Sequence, residues 1–373
     1  MIIGYENFFT RRMTGKLKIA EIARQAGVSI STVSRVLAGK ANTGAASRQR
    51  VLEYARTSGV LANLPADRLL LHNLVVFAPK RAFDLRADIF YYKVIQGIRD
   101  AVARNDVHLS YCAIEENDAD IPAFLKKLGN PACDAALIVG IDDPHVHALA
   151  ADIGKPCVLI NCNSDSMRLD AVSPDHQLIG RYSANYLIEH GHRDILALMC
   201  LRRSTMERRL NGVREAFAAH NMVFDDNRHL VATAGFAAEE ARAALTRHLA
   251  GRERENYPTA ILAGGDFMAS GAIAELLERG LAIPGDISVM SMDGFNLAET
   301  HDIPLTAVHV PRDELGAEAL RLLQQRLASP DMPFCHLLLS GRLFVGNSVK
   351  RLGSRKAGSG AGREHSLYGN LAT

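Results

Sequence analysis

Arg35 carries the most specific chemistry in the chain. A planar guanidinium on a short helix can pair with a guanine edge through two parallel hydrogen bonds, worth ~1–3 kcal/mol of discrimination against other bases. Ser29, Thr32 and Ser34 surround it with small hydroxyls at a spacing that reaches phosphate oxygens. Such contacts set register along a duplex, not sequence. Ser31 can donate to or accept from a base, and Ile30 can only touch a thymine methyl or exclude water. The plainer use of these hydroxyls is to cap and solvate a helix.

These residues need a rigid mount. In IAEIARQAG, Ile19, Ile22, Ala23 and Ala26 fall on one helical face. Gly27 turns the chain, and Ser29 is a good N-cap for a second helix that buries Val33, Val36 and Leu37 and stops at Gly39. A third helix is expected over roughly 46–58, with Val51, Leu52 and Ala55 inward. A helix-turn-helix over 17–60 follows, its second helix in a major groove, where base edges present a unique code. Residues 13–72 hold nine Lys/Arg against three Asp/Glu, although the whole chain has a net charge of only +2. A basic head on a near-neutral body points to a polyanionic partner.

From Asn73 the pattern changes to apolar strands alternating with amphipathic helices, from NLVVFAP to DISVMSMDG. Near-continuous apolar strands are those of parallel sheets covered on both faces. About five such units precede residue 192 and four follow. The expected core, 73–350, is therefore two doubly wound parallel-sheet lobes, one of 73–192 and 309–329 and the other of 193–308 and 330–350. Ligands in such sheets bind beyond the carboxyl ends of the strands. Residues 61–72 form a link. Residues 1–16 are expected to be a flexible extension and 351–373, rich in Gly, Ser and basic residues, a disordered tail. The six cysteines are scattered and form no C-x-x-C pair, so free thiols are expected and no metal site. No signal peptide or 18-residue apolar run is present, so the expected location is the cytoplasm, away from any membrane. Phosphate-loop, G-x-S-x-G, H-E-x-x-H and dinucleotide-fold motifs are all missing, so an enzyme is not expected.

The segment Leu17–Gly39, with A-G-V-S at Ala26–Ser29 and T-V-S-R at Thr32–Arg35, resembles the N-terminal signature of the lactose-repressor (LacI/GalR) family of bacterial transcription regulators. DHQLIGRYSANYLIEHGHRDILAL, the stretch from Pro258 to Gly294 and PLTAVHVP resemble the family's core, which implies a periplasmic-binding-protein-like fold. The resemblance implies a homodimer on a pseudo-palindromic operator in double-stranded DNA, and a small-molecule effector, a sugar or sugar derivative, that controls operator affinity. It implies no cofactor. The alternative is a regulator or activator that answers to a protein partner or acts without an effector. The family's hinge falls on LANLPADRLL, and its minor-groove leucine on Leu69. Three positions depart from the family: Lys18 and Gly44 replace its usual caps, and Ala38 its usual Asn. A fourth is Asp67, which stands where Arg is common. Carried over one at a time, the effector positions are Asp88, Phe90, Tyr91, Asp175, Arg209, Phe236, Asp266 and Asp293. The tail has too few leucines for a tetramerising helix, so the expected assembly is a dimer.

Overall fold

In a computed structural model the chain is described over residues 18–353, except 41–42, 62–68, 86–87, 104, 117–118, 163, 165 and 296–302. The expected extension, most of the link with Asn63, Pro65 and Asp67, and the tail beyond 353 lie outside the described residues.

Three helices make the head: α1 (18–26), α2 (Ile30–Leu37) and α3 (Ala45–Thr57). Ile22, Ala23, Ala26, Val33, Val36, Leu37, Val51, Leu52 and Ala55 interlock as its core. Gly27 takes the left-handed conformation (φ 62°) that the tight α1–α2 turn requires. The Ser29 side chain accepts from the Thr32 amide at 3.1 Å, capping α2. Gly44 opens α3 with no side-chain cap.

The first lobe runs β1 (Asn73–Ala78), α4 (Ile89–Val102), β2 (His108–Ala113), α5 (Ile121–Leu128), β3 (Ala135–Val139), α6 (Pro144–Asp152), β4 (Cys157–Ile160) and β5 (Asp170–Pro174). The second runs α7 (His176–Glu189), β6 (Ile195–Met199), α8 (Ser204–Ala219), α9 (Asp226–His229), β7 (Leu230–Ala232), α10 (Ala238–Leu249), β8 (Ala260–Ala263), α11 (Asp266–Glu278), β9 (Ser288–Ser291) and β10 (Thr306–His309). The chain then returns through α12 (Arg312–Ala328) and β11 (His336–Leu339) to the first lobe and ends its last strand, β12 (Arg342–Phe344), in the second. The sheet orders are β11-β5-β4-β3-β1-β2 and β12-β10-β9-β8-β6-β7. Every pairing is parallel except β10 with β12. Strands such as AALIV and ILALM are buried throughout, because helices cover both sheet faces.

Two lobe assignments differ from the expectation of a break near residue 192. The chain leaves the first lobe at Asp175, not at 192, because α7 buries Ile179, Leu187 and Ile188 in the core of the second sheet with β6 and α8. Likewise β11, expected in the second lobe, pairs with β5 of the first. Residues 351–353, assigned to the tail, continue the described chain, and the Leu352 amide donates to the His190 carbonyl at 2.7 Å.

The lobes also show how tightly the helices are set. Gly180 on α7 faces the Arg209 carbonyl on α8, and Gly212 on α8 faces the Gln177 carbonyl on α7; a Cβ at either would overlap that backbone. Gly212→Ala is therefore expected to force the helices apart at a cost of about 1–3 kcal/mol. Urea unfolding measures it, and an unchanged midpoint would show that the helices separate freely.

Candidate nucleic-acid interface and ligand cleft

On the head, α2 buries Val33, Val36 and Leu37 and turns its other face outward. Ile30, at the start of α2, is 58% exposed. Ser29, Ser31, Ser34 and Arg35 are exposed beside it, with Thr32 half-buried. The Ser29 hydroxyl lies 2.8 Å from those of both Ser31 and Thr32, so the hydroxyls solvate one another in the free protein. All six expected reading residues thus sit on one face or its rim. Leu69 does not join them. It is 6% exposed and belongs to the first lobe's core, with its amide 3.2 Å from Asn105 Oδ1. A leucine offered to DNA was expected there; here the nearest apolar surface is the lobe, and Leu69 is buried in it.

Side chains that follow the carboxyl ends of β4, β6 and β9 meet where the two lobes face one another, the region called the cleft below. Arg209, on α8, is 2% exposed and reaches three partners: His176 Nδ1 at 3.1 Å, the Gly264 carbonyl at 2.8 Å and Asp293 at 2.9 Å. Because His176 Nδ1 accepts from Arg209, its Nε2 carries the proton and donates to Asn161 Oδ1 at 2.8 Å. Asn161 Nδ2 in turn donates to the Tyr91 hydroxyl at 3.0 Å. Tyr91, Asn161, His176 and Arg209, all buried, are therefore one hydrogen-bonded relay that crosses from the first lobe to the second and ends on the half-buried Asp293.

The other expected cleft residues divide by role. Phe90 packs against the cores of both lobes. Phe236 is half-buried, with the Arg202 guanidinium over its ring at 5.8 Å. Asp88 caps α4 through the Tyr91 amide at 3.1 Å and pairs with Arg81 at 2.9 Å. Burial raises its carboxyl above the ordinary range, against the pull of Arg81. Asp175 caps α7 through the Leu178 amide at 2.9 Å. Asp266 accepts from the Ser291 hydroxyl and from the amides of Gly294 (2.9 Å) and Phe295 (2.6 Å), and burial raises it too. In this structure Asp88, Asp175 and Asp266 hold their own helices and turns.

Sequence reading missed Arg203. Its side chain is 7% exposed and spans the lobes, bonding Glu116 (2.9 Å), Asp142 (3.1 Å), the Asn161 carbonyl (3.0 Å) and the Tyr91 hydroxyl. Burial pushes its guanidinium down to about 10, still charged at neutral pH. Arg312 was missed as well: it starts α12, bonds the Asp293 carbonyl and stacks on Phe295 at 3.5 Å. The available signal was position, since Arg203 follows the carboxyl end of β6, where ligands of such sheets bind. Arg203 Nε, the Ser204 hydroxyl and Arg312 Nε are buried without a hydrogen-bond partner among the described residues. Buried donors rarely stay unpaired, so water or another acceptor is expected beside these atoms.

Two buried histidines predict a pH response. Burial holds His176 well below its ordinary value, aided by Arg209, and lowers His192 to about 4. Both bind a proton more readily unfolded than folded, so stability is full above about pH 6.5 and falls as pH drops below it. For His192 the loss reaches about 2 kcal/mol at pH 5. Urea unfolding at pH 7 and pH 5 should show this slope, reduced by that amount in His192→Asn; equal slopes would refute it.

Comparison with known proteins agrees with the geometry. The family described as bacterial regulatory proteins, lacI family, matches residues 18–60, and the periplasmic binding protein-like domain matches 184–349. The HTH-type transcriptional repressor PurR of Photobacterium profundum is 27% identical over 343 residues, which cover 90% of this chain and 99% of that protein. The PurR of Vibrio atlanticus is 28% identical, covering 84% and 92%. Among solved structures, a putative LacI regulator from Bacillus cereus superposes with a TM-score of 0.67 at 21% identity, over 76% of this chain and all of that one. A LacI-family regulator from Enterococcus faecium with bound ribose gives 0.63 at 21% identity, over 75% and 100%. Head, two-lobe core and relatives agree: the chain carries a helix-turn-helix head of the lacI family of bacterial regulatory proteins and a periplasmic-binding-protein-like core.

Proposed function

We propose that the chain is a repressor that grips a pseudo-palindromic operator as a homodimer and changes that grip when a small polar metabolite enters the interlobe cleft. Arg35 reads a base, Ile30 and Ser31 touch the groove, and Ser29, Thr32 and Ser34 fix register on phosphates. Arg209 and Asp293 hold the effector, with Phe90, Tyr91 and Phe236 as its walls. Asp88, Asp175 and Asp266 keep their helices in place at its edge. The observation that carries the effector half of this reading is the set of unpaired buried donors on Arg203, Ser204 and Arg312. An effector bearing several acceptor oxygens, as a sugar does, satisfies such donors. The ribose-bound relative supports that class.

The test begins with duplexes selected from a random library by the intact protein, followed by anisotropy titrations with a sugar, sugar-acid and purine panel. Arg35→Ala is expected to cost ~1–3 kcal/mol and to relax preference at one base pair per half-site. Thr32→Ala should weaken all duplexes alike. An unchanged base preference in Arg35→Ala would misplace the reading helix. A panel in which nothing shifts duplex affinity would remove the effector.

A further inference from the structure

Arg203 belongs to the second lobe by its place in the chain and to the first by its bonds. It stands just before α8 in extended backbone, where a long side chain can leave the helix and cross to the facing lobe. Nη1 donates to Glu116 Oε1 at 2.9 Å and to the Tyr91 hydroxyl. Nη2 donates to Asp142 Oδ2 at 3.1 Å and to the Asn161 carbonyl at 3.0 Å. The guanidinium carbon also lies 5.3 Å from the centre of the Tyr91 ring. The four acceptors come from four separate segments of the first lobe. Tyr91 is on α4, and Glu116, Asp142 and Asn161 follow the carboxyl ends of β2, β3 and β4. Two carboxylates, a carbonyl and a hydroxyl set around one flat fork make a site for a guanidinium.

We infer that Arg203 is a built-in guest of the first lobe: its guanidinium fills a cation subsite made by Tyr91, Glu116, Asp142 and Asn161, and by doing so clasps the two lobes together. Two neighbours help less. Arg202 reaches Glu116 only at 3.6 Å with its side chain 45% exposed, and an exposed pair contributes little. Arg81 holds Glu116 at 2.5 Å but from within the first lobe, so it prepares the subsite without crossing to the second. The clasp is releasable. Taking a guanidinium and carboxylates out of water costs nearly as much as their attraction returns. Burial accordingly pushes Arg203 down to about 10, and it stays charged at neutral pH. Without the cation, the Glu116 and Asp142 side chains, 11% and 26% exposed, would face the second lobe as uncompensated charges, and the lobes would part to hydrate them. The inference holds whatever metabolite the cleft takes and whether or not DNA is bound.

The test is chemical rescue, read as the distance between the lobes in the full-length protein. Spin labels are attached through Met167→Cys in the first lobe and Val223→Cys in the second, positions 81% and 83% exposed. The half-buried Cys112 and Cys335 are changed to Ser. Labelled chains are diluted with unlabelled protein, so that dipolar spectroscopy reads only the pair within one chain. With Arg203 in place the distance should be single and narrow. In Arg203→Ala it should lengthen or broaden, because losing even one hydrogen bond to a charge raises the separated population about tenfold or more. Methylguanidinium at about 20 mM, far below denaturing concentrations, should enter the emptied subsite and restore the narrow distance. Tetramethylammonium at the same concentration, a cation without N–H donors, should not. Asp142→Asn keeps Arg203 in its site. It should broaden the distance too, with no response to methylguanidinium, and it serves as the test should Arg203→Ala not fold. A distance already broad in the wild type, or unchanged in both variants, overturns the clasp. So does an Arg203→Ala distance that methylguanidinium leaves broad, or that tetramethylammonium restores equally well.

Discussion

Asp170→Ala is expected to destabilise the protein by about 3–5 kcal/mol, the cost of leaving a buried charge without its partner. Asp170 on β5 and Arg326 on α12 have side chains only 1% and 7% exposed and meet through two hydrogen bonds of 2.8 and 2.9 Å. Arg326 also donates to the carbonyls of Pro330 (2.8 Å) and Pro333 (3.0 Å), and Asp170 accepts from the Cys335 amide at 2.9 Å. The pair thus pins the end of α12 and the turn into β11. Domains of ordinary stability have about 5–15 kcal/mol in total, so the loss is a large share. The exposed pair Arg168–Asp152, with side chains 54% and 62% exposed, is the control. Breaking it should cost about 1 kcal/mol or less. Urea unfolding of both variants measures the contrast, and an Asp170→Ala loss below that of Asp152→Ala would show that the buried pair holds nothing.

The second large effect is on the cleft. Arg209→Ala removes three hydrogen bonds at once, those to His176, Gly264 and Asp293, and leaves the Asp293 carboxylate without its cation. Hydrogen bonds that involve a charged group contribute about 1.5–3 kcal/mol each. Losing even one to the effector weakens its binding by about 10- to 150-fold. Arg209→Lys should recover little, since an ammonium cannot serve three partners set around a planar fork. Selected-duplex affinity should stay within about threefold of wild type, because the reading face on α2 is untouched. Calorimetry with the effector found in the panel and anisotropy with the duplex give the two numbers. An Arg209→Ala protein that responds normally to effector would remove Arg209 from the site.

Much of the head was legible because its information is local. Gly27 needs a left-handed φ, Ser29 caps the helix that follows, and Val33, Val36 and Leu37 share one helical face. Each inference spans a few residues, so the expected third helix of 46–58 was off by only a residue at each end. The strands of the core were legible for the same reason, as buried apolar runs. Where the chain crosses between lobes was not. A helix such as α7 has an apolar face that either sheet could cover, and the choice is tied to its neighbour α8, against which it packs closely at Gly180 and Gly212.

The cleft shows the same division between neighbours in sequence and neighbours in space. Arg209 and Asp293 were singled out one by one as expected effector contacts; the bond between them joins positions 84 residues apart. Arg203 was overlooked because nothing beside it in the chain marks it; its partners Tyr91, Glu116, Asp142 and Asn161 all come from the other lobe. By itself, then, the sequence determined the helix-turn-helix, which face of its second helix is exposed, the alternation of strand and helix, and the resemblance to the lacI family. Local propensity, periodicity and capping decide those within one or two turns of chain. The tertiary structure alone decided which lobe each crossing element joins, which arginines are buried across the cleft, and that Leu69 lies in the lobe's core. Those outcomes depend on burial and charge pairing between distant segments, energies that exist only once the chain has brought them together.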